Sequence, residues 1–265
     1  MRIVVTGATG NAGTSVLRSL IADESVEAIV GIARRAPAWR PPKVEWTQAD
    51  ITFDRLEPMF EGADVLIHLA WAIQPSRDEE RLHAVNVTGS KRVFAAAGAA
   101  AVPAVVYASS IGAYSPGDQH GAPVDETWPV EGIPSSFYAR HKAAVETALD
   151  SFEADHPAAR VVRLRPALIF KSEAGSEIRR LFAGPFVPAS LFKPSRLPVM
   201  PWISGLRTQA VHTGDVAEAY RLAATGDARG AFNIAAEPVL DETTLGDVLE
   251  ARVIALPGDV VRALA

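Results

Sequence analysis

The chain has 265 residues, and 48% of them are hydrophobic. This length and composition support a folded chain with a substantial core and argue against disorder. The formal net charge of −5 gives no general attraction to nucleic acid or to an anionic membrane, so neither is expected as a partner. Because the sequence contains no cysteine, it has no disulfides and no thiolate metal site, which is typical of a reducing compartment.

The first residues and one long uncharged stretch bear on the location of the protein. The apolar run at residues 1–7 is too short for a secretory signal and lacks a small-residue cleavage site, so we expect a cytoplasmic protein. Residues 93–117 carry no charge over a length that a membrane helix would need. Pro103 and the adjacent Ser109 and Ser110 interrupt this stretch, which favours a helix end, a turn and a buried strand.

Short apolar runs alternate with helix-forming segments over the first 165 residues. The predicted strands cover residues 2–5, 28–33, 44–47, 65–70, 104–108 and 161–164, and the predicted helices cover residues 12–22, 53–60, 79–100 and 136–154. Because the strands read as continuous apolar runs, they indicate a parallel sheet that helices cover on both faces.

Three glycines at three-residue intervals, Gly7, Gly10 and Gly13, lie between the first predicted strand and the first predicted helix. Such a turn presents backbone N–H groups and the positive end of a helix to an anion such as a phosphate. Gly7 permits the tight turn, Gly10 lets a pyrophosphate approach the backbone, and Gly13 lets the helix pack on the strand. Taken alone, the spacing is also compatible with a plain strand-to-helix connection.

Two later segments carry groups suited to proton transfer. Tyr138 and Lys142 are four residues apart in a predicted helix and therefore share one face. A tyrosine that acts as a base near neutral pH needs a pKa about 3 units below its ordinary value, and the Lys142 ammonium and the positive charge of a bound oxidised cofactor are the expected causes. Ser110 ends an apolar strand, where a hydroxyl can face the cleft of an open sheet. Alternatively, the tyrosine and lysine form a surface pair, and Ser109 and Ser110 cap a turn.

In their order along the chain, these segments resemble those of the extended short-chain dehydrogenases/reductases, the NAD-dependent epimerase/dehydratase-like family. The resemblance rests on the glycine turn at residues 7–13, QADI at 48–51, LIHLAW at 66–71, NVTGSKRV at 86–93, VYASSIGAYS at 106–115, SFYARHKAA at 136–144, RLRPALIF at 163–170 and VHTGDVAEA at 211–219. It implies three catalytic residues, Ser110, Tyr138 and Lys142. Ser110 is preferred to Ser109 because Tyr114 follows it by four residues, as a tyrosine follows the catalytic serine in relatives.

The resemblance also implies the cofactor. After the second predicted strand, Ala33 stands where the family usually has an acidic residue, and Arg34 and Arg35 follow. Adjacent guanidinium groups suit the 2′-phosphate of NADP, so we expect NADP as the cofactor, with NAD as the alternative.

The expected contacts lie in the glycine turn, after the strands and on the helices that face the cleft. The residues expected to bind the cofactor are Gly7, Thr9, Gly10, Asn11, Ala12, Gly13, Arg34, Arg35, Asp50, Ile51, Leu69, Ala70, Trp71, Asn86, Ala108, Ser109, Tyr138, Lys142, Pro166 and Ala167. The residues expected to bind a small-molecule substrate are Ser110, Ile111, Tyr138 and His212. No metal is expected, because the six histidines show no metal-ligand spacing.

The regular alternation of strands and helices ends after Pro166. Closely spaced prolines between residues 182 and 202 are incompatible with helix interiors there. We interpret residues 1–165, with part of 205–240, as a dinucleotide-binding domain, and residues 166–204 and 237–265 as a small substrate-binding cap that is not an independent domain. The predicted fold class is α/β, a Rossmann-type doubly wound parallel sheet with a small irregular C-terminal substrate cap.

The resemblance implies an NAD(P)-dependent oxidoreductase that transfers hydride between nicotinamide and a carbonyl, an alcohol or a sugar-like substrate. Two alternatives stay open: a nucleotide-sugar epimerase proper that oxidises its substrate transiently, and a non-catalytic NADP-binding redox sensor. Ile111 and Gly112 stand where dehydratase relatives carry an acidic pair, which argues against a sugar 4,6-dehydratase. Arg179, Arg180 or Arg207 are candidates for contact with a diphosphate, and relatives suggest a homodimer.

Overall fold

The computed structural model describes residues 1–73, 78–117, 122–171, 199–250 and 252–256. The chain divides into two compact units by its internal contacts. The first unit comprises Met1–Pro166 and Thr213–Ile234, and the second comprises Ala167–His212 and Ala235–Ala265.

The described elements alternate between strand and helix through most of the first unit. The strands are β1 (Arg2–Thr6), β2 (Ala28–Ala33), β3 (Val44–Gln48), β4 (Val65–His68), β5 (Ala104–Ala108), β6 (Arg160–Pro166), β7 (Leu168–Phe170), β8 (Val199–Ile203), β9 (Thr208–His212), β10 (Gly230–Ile234), β11 (Ala236–Leu240) and β12 (Arg252–Leu256). The helices are α1 (Asn11–Ala22), α2 (Glu57–Phe60), α3 (Glu79–His83), α4 (Gly89–Ala99), α5 (Phe137–Asp155), α6 (Thr213–Thr225) and α7 (Glu242–Leu249).

The first unit is built on a seven-stranded sheet with the order β10-β6-β5-β4-β1-β2-β3. Every neighbouring pair in this sheet is parallel. All four residues of β4 are buried, as expected for a strand that is covered on both faces. The predicted Rossmann-type doubly wound sheet is therefore confirmed. The strand order reverses between β1 and β4, which is where open sheets of this type bind ligands.

Helices pack on this sheet in pairs. α1 packs against α6, and α4 packs against α5. The main buried cluster joins the sheet to α4 and α5 through large side chains such as Leu66, Phe94, Tyr107 and Phe152. The position of α5 matters for the site, because this helix carries Tyr138 and Lys142 against the carboxyl end of β5.

The helix predicted at residues 53–60 is shorter in the structure, where α2 spans Glu57–Phe60. Residues 50–54 form a turn instead. The Asp50 carboxylate accepts from the Thr52 backbone N–H at 2.9 Å, and the Asp54 carboxylate accepts from the Asp50 N–H at 2.7 Å. Carboxylates that bond nearby backbone N–H groups compete with helix formation, so the helix begins at Glu57 and not at residue 53.

The helix predicted at residues 79–100 contains an interruption that the sequence did not reveal. A π-helical turn, Ala84–Thr88, separates α3 from α4. Such turns are rare and occur frequently at functional sites, and this one contains the buried Asn86.

The second unit contains two small sheets among its described residues. β11, β9 and β7 form a three-stranded sheet in that order, and β8 pairs with β12 in parallel. The sequence analysis predicted none of these strands. Residues 172–198 lie outside the described residues. They include most of the proline-rich stretch at 182–202 on which the predicted cap was based.

The uncharged stretch at residues 93–117 forms the end of α4, the connection to β5, β5 itself and a 3-10 turn at Ile111–Ala113. The predicted helix end, turn and buried strand are confirmed. Within the described ranges, no helix has the length and apolar character that crossing a membrane requires.

His68, at the end of β4, is completely buried and hydrogen-bonded on both sides of its ring. Its Nδ1 lies 2.6 Å from Thr6 Oγ1, and its Nε2 lies 2.8 Å from Ser90 Oγ. Because the Ser90 hydroxyl donates to the Asn86 carbonyl oxygen, Nε2 carries the ring hydrogen and Nδ1 accepts from Thr6. Burial, with a smaller contribution from the charge of Lys142, lowers the pKa of His68 to about 3.

Acid should therefore destabilise the first unit through His68. The folded residue stays neutral, whereas the unfolded residue takes up a proton near its ordinary pKa of 6.5. Stability is thus full above that pH and is lost as the pH falls toward 3, with a slope of up to about 1.4 kcal/mol per pH unit from this proton. Urea unfolding measures the free energy of unfolding at each pH between 7 and 4. This free energy should fall less steeply with decreasing pH in His68→Gln than in the wild type. The exposed His83→Asn is the control, and equal slopes for wild type and His68→Gln would contradict the assignment.

Candidate active site

The glycine turn between β1 and α1 brings two strand ends into close approach. Gly7 has a φ of +70°, and a Cβ at this position would lie 2.6 Å from the backbone nitrogen of Ala70, which follows β4. A Cβ at Gly13 would lie 2.5 Å from the Gly7 carbonyl oxygen. Both positions therefore exclude a side chain because of contacts within the protein itself.

Gly10 differs from the other two glycines of the turn. It is exposed, and a Cβ there would meet the Gly7 carbonyl oxygen at 3.3 Å and nothing closer. Gly10 is also the N-cap of α1 and supplies no side-chain cap to the helix. A helix N-terminus without a side-chain cap, beside a residue without a side chain, leaves space and backbone dipoles for an anion. This turn fits the pyrophosphate of a dinucleotide.

Asp50 and Arg34 lie after β3 and β2, at the carboxyl edge of the sheet. Burial raises the pKa of Asp50, but hydrogen bonds from Thr52 and the charges of Arg34 and Arg81 outweigh it and hold the pKa below its ordinary value. Arg34 and Arg35 are both exposed. Arg81, on α3, brings a further positive charge to this edge and was not identified from the sequence.

Asn86 holds the segment that follows β4. Its Oδ1 accepts from the Ala72 backbone N–H at 2.7 Å, and its Nδ2 donates to the Ala72 carbonyl oxygen at 3.0 Å. The side chain is fully buried, so both of its polar atoms are used within the protein. Through this pair, the π-helical turn fixes the course of residues 69–72, which include Leu69, Ala70 and Trp71.

Lys142 is buried against β5 and the segment after β4, with 3% of its surface exposed. Its Nζ donates to the Ala108 carbonyl oxygen at 2.5 Å and lies 3.5 Å from the centroid of the Trp71 ring. Burial lowers the pKa of Lys142 to about 7, while the charge of Glu146 opposes this shift. An aromatic face also attracts the ammonium form, so Trp71 favours the charged state of this lysine.

Tyr138 and Ser110 lie beside each other at the same edge. A Cβ added to Gly112 would lie 3.1 Å from Tyr138 Cε1 and 3.4 Å from Ser110 Oγ, which places both side chains around one point. Ser110 Oγ accepts from the Gly112 N–H at 3.0 Å and so caps the 3-10 turn. The Trp71 ring meets the Tyr138 ring edge-on, with 5.9 Å between the centroids. The indole Nε1 is buried without a hydrogen-bond partner among the described residues.

The electrostatics of Tyr138 differ from the expectation. Burial raises its pKa, and hydrogen bonding with Ser110 opposes the rise only in part. Lys142 alone therefore does not lower the pKa of Tyr138 below its ordinary value, and the predicted depression by Lys142 together with an oxidised cofactor stays a prediction. The physical reason is that burial disfavours the phenolate and also disfavours the ammonium that should stabilise it. At neutral pH the Tyr138 side chain is a phenol, which is a proton donor.

Ser109 faces different partners from its neighbour. Its hydroxyl donates to the carboxylate of Glu146, and only 3% of its surface is exposed. Of the two adjacent serines, Ser110 is therefore the one that lies beside Tyr138.

The remaining predicted residues divide between the two units. Thr9, Asn11 and Ala12 belong to the glycine turn and the start of α1, Ile51 follows Asp50, Ile111 follows Ser110, and Pro166 ends β6. Ala167 and His212 belong to the second unit, where His212 is exposed at the end of β9. Arg207 is exposed in the same unit, and Arg179 and Arg180 lie outside the described residues. Within the described ranges, no cluster of three or more histidine, aspartate or glutamate side chains could hold a metal ion.

Two buried charged residues beside the site, Glu146 and Arg165, were not predicted from the sequence. Arg165 donates from Nε and Nη2 to the two carboxylate oxygens of Glu146 at 2.8 and 2.6 Å. A signal was present, because RVVRLRP places three arginines in an otherwise apolar strand, and Arg163 and Arg165 are buried. Arginines that a strand buries need acidic partners, and Glu146 lies one helical turn after Lys142.

The profile of the NAD dependent epimerase/dehydratase family matches residues 3–235. The chain belongs to this family, which is a family of enzymes that use a nicotinamide dinucleotide.

Several known proteins are similar to the chain. A decarboxylating sterol-4-alpha-carboxylate 3-dehydrogenase from Candida albicans is 29% identical over 78% of this chain and 54% of its own length. A 4-hydroxy-2-methyl-3-oxo-4-farnesyl-3,4-dihydroquinoline-1-oxide ketoreductase from Stigmatella aurantiaca is 29% identical over 84% and 64%, respectively. The chain thus spans less than two thirds of these relatives. A short-chain dehydrogenase/reductase superfamily protein from Agrobacterium tumefaciens, solved with bound NAD, has a TM-score of 0.78 at 22% identity, covering 97% of this chain and 86% of the other.

The glycine turn yields a test in which two similar substitutions have different effects. Gly10→Ala should change the midpoint of thermal unfolding little but weaken NADPH binding, because the new methyl group meets only the Gly7 carbonyl oxygen, at 3.3 Å, and otherwise fills the open side of the turn. Gly7→Ala should destabilise the fold by about 1–3 kcal/mol, because it strains a left-handed backbone and meets Ala70. Thermal unfolding and NADPH fluorescence titration measure the two effects. Unchanged NADPH affinity in Gly10→Ala would contradict the assignment of this turn.

Proposed function

We propose that this protein is an NADP-preferring oxidoreductase that transfers hydride between nicotinamide and a carbonyl or alcohol carbon. One observation carries the proposal: Ser110, Tyr138 and Lys142 converge at the carboxyl edge of the parallel sheet. The Lys142 Nζ lies 5.8 Å from the centroid of the Tyr138 ring, and the glycine turn follows a strand of the same sheet. Membership of the NAD dependent epimerase/dehydratase family supports the same reaction class.

Each of the three residues has a distinct role in this proposal. A bound nicotinamide dinucleotide supplies the ring that donates or accepts hydride. Ser110 holds the substrate oxygen by hydrogen bonding, and Tyr138 gives a proton to that oxygen when a carbonyl is reduced. Because burial keeps Tyr138 protonated, its phenol is the proton donor that carbonyl reduction requires. Lys142 contacts the cofactor and, with a pKa of about 7, is able to exchange a proton with the phenol.

The adenosine end of the cofactor is proposed to lie along the edge formed by Asp50, Arg34 and Arg35. The lowered pKa of Asp50 keeps it an acceptor for an amino group. Arg34 and Arg35, exposed next to β2, are proposed to bind the 2′-phosphate, and the charge of Arg81 supports this preference. Trp71 is proposed to line the site between the two ends, with its unpaired Nε1 as a donor to a ligand.

The substrate is proposed to be an apolar or weakly charged ketone or alcohol. The support is that two similar proteins carry names for reactions on a sterol carboxylate and a farnesylated quinoline oxide. Ser110, Ile111 and Tyr138, all of the first unit, are the proposed contacts. A homodimer and a cytoplasmic location complete the proposal.

Tyr138→Phe is the variant that tests the proposed chemistry. It should lower kcat about 10²- to 10⁴-fold and leave NADPH binding nearly intact, because it removes the proton donor without changing the shape of the site. Tyr220→Phe, which removes another buried phenol of the first unit, is the control and should retain activity.

The absorbance of NADPH distinguishes the possible reactions in the same assay. Steady loss of NADPH with ketones supports reduction, whereas inverted stereochemistry at constant absorbance indicates the epimerase. NADPH binding with neither change across a broad panel of ketones and sugars would contradict both and favour a binding protein.

The cofactor preference is tested by replacing both Arg34 and Arg35 with serine. The double variant should bind NADPH about 10- to 100-fold more weakly and NADH about as before, since it loses charge-assisted bonds to the 2′-phosphate alone. Arg55→Ser, which removes another exposed arginine of the first unit, is the matched control. An equal loss of affinity for both nucleotides would contradict the preference for NADP.

A further inference from the structure

We propose that the buried Glu146–Arg165 ion pair is a positioning device that sets the place of Ser110 relative to Tyr138. The inference rests on the proposed function and deepens it, because neither residue contacts the substrate, the cofactor or the reacting atoms in that proposal. Both are positioning residues, since their contacts reach the site through other side chains. The observations that carry it are the contacts of one short segment, residues 108–114, which we call the Ser110 segment.

The ion pair is rigid and almost fully enclosed. Glu146 and Arg165 each expose 4% of their surface. The guanidinium donates to both carboxylate oxygens at 2.8 and 2.6 Å, which is a bidentate geometry with little freedom to rotate. The pair therefore links α5, which carries Tyr138 and Lys142, to strand β6 in a defined position.

The pair contacts the Ser110 segment on both sides of Ser110. On one side, the Ser109 hydroxyl donates to Glu146 Oε1, the oxygen that also accepts from Arg165 Nε. On the other side, Arg165 Nη1 donates to the Tyr114 hydroxyl at 3.0 Å. Ser110 thus lies between two residues that the same ion pair holds.

Further bonds extend this arrangement to the rest of the site. The Tyr114 hydroxyl donates to Asn233 Oδ1 at 2.7 Å, so strand β10 also contributes to the anchor. Lys142 Nζ donates to the carbonyl oxygen of Ala108, at the start of the Ser110 segment. Movement of this segment would therefore change the positions of Ser110 and of a lysine contact together.

The ion pairs of Arg163 provide a comparison for the contacts of Glu146. Arg163, two residues before Arg165 on β6, donates to Asp150 at 2.6 Å and bonds Glu153, and it lies 3.7 Å from Glu146. Asp150 follows Glu146 by one helical turn, and its side chain is 71% exposed. Among the residues that the structure describes, Asp150 bonds Arg163 and none of the Ser110 segment, so it provides a carboxylate on the same helix for comparison.

Three variants test the proposal. Ser109→Ala removes one contact and leaves the ion pair in place. Glu146→Gln keeps an oxygen that can accept from Ser109, but it replaces the second oxygen with an NH₂ group that cannot accept from Arg165. Asp150→Asn makes the same type of change one turn further along α5. Thermal unfolding first establishes which variants are folded.

The experiment combines steady-state kinetics with hydrogen–deuterium exchange of the full-length protein. Since a misplacement of about 1 Å can lower a rate about 10²-fold, Ser109→Ala should lower kcat about tenfold and Glu146→Gln about 100-fold. NADPH affinity and the substrate KM should change much less. Backbone exchange within residues 108–114 should accelerate in both variants and stay at the wild-type rate in Asp150→Asn.

The outcomes separate this inference from the proposed function. Folded Ser109→Ala and Glu146→Gln variants with wild-type exchange at residues 108–114 would overturn the inference, as would a loss of NADPH affinity equal to the loss of kcat. If Glu146→Gln does not fold, Ser109→Ala decides alone. If the wild type binds NADPH but turns over no ketone or sugar, the proposed function fails, and the exchange rates still decide whether the ion pair positions Ser110.

Discussion

The buried amino group of Lys142 is the point on which the arrangement of the site depends. It contacts the Ala108 carbonyl oxygen at the end of β5 and the face of Trp71 after β4, and it lies one helical turn from Glu146. Burial lowers the pKa of this lysine to about 7, and the charge of Glu146 opposes the shift only in part. The same burial keeps Tyr138 protonated. A phenol beside a readily titrated lysine is suited to giving a proton to a substrate oxygen and recovering it.

The parallel sheet explains why these groups meet. Carboxyl ends of parallel strands lie at one edge, and the reversal of strand order between β1 and β4 opens a crevice there. Gly7 lets the turn after β1 approach Ala70 after β4, and Asn86 fixes the chain beyond Ala70 through Ala72. The two halves of the site, the glycine turn and the Tyr138 helix, are thus held to the same sheet by contacts that do not require a ligand.

Much of this unit could be predicted from sequence, because its signals are local. Continuous apolar runs marked six strands of the main sheet, and the spacing of Tyr138 and Lys142 placed them on one helix face. Other features depend on partners distant in sequence. The turn at Asp50 shortened a predicted helix, the buried pair of Glu146 and Arg165 joins residues on different elements, and the raised pKa of Tyr138 follows from burial that no local pattern reveals. The strands of the second unit were missed because they are short and their partners are distant in sequence, as in the pairing of β7 with β9 and of β8 with β12.

The most direct test of the account is an NMR titration of the wild-type protein with ¹³C-labelled tyrosine and lysine, in which Tyr138→Phe and Lys142→Met assign the two signals. The account predicts that Tyr138 keeps its proton beyond its ordinary pKa of 10 and that Lys142 titrates near pH 7. A Tyr138 signal that titrates well below pH 10, together with a Lys142 signal near its ordinary value of 10.5, would contradict the account.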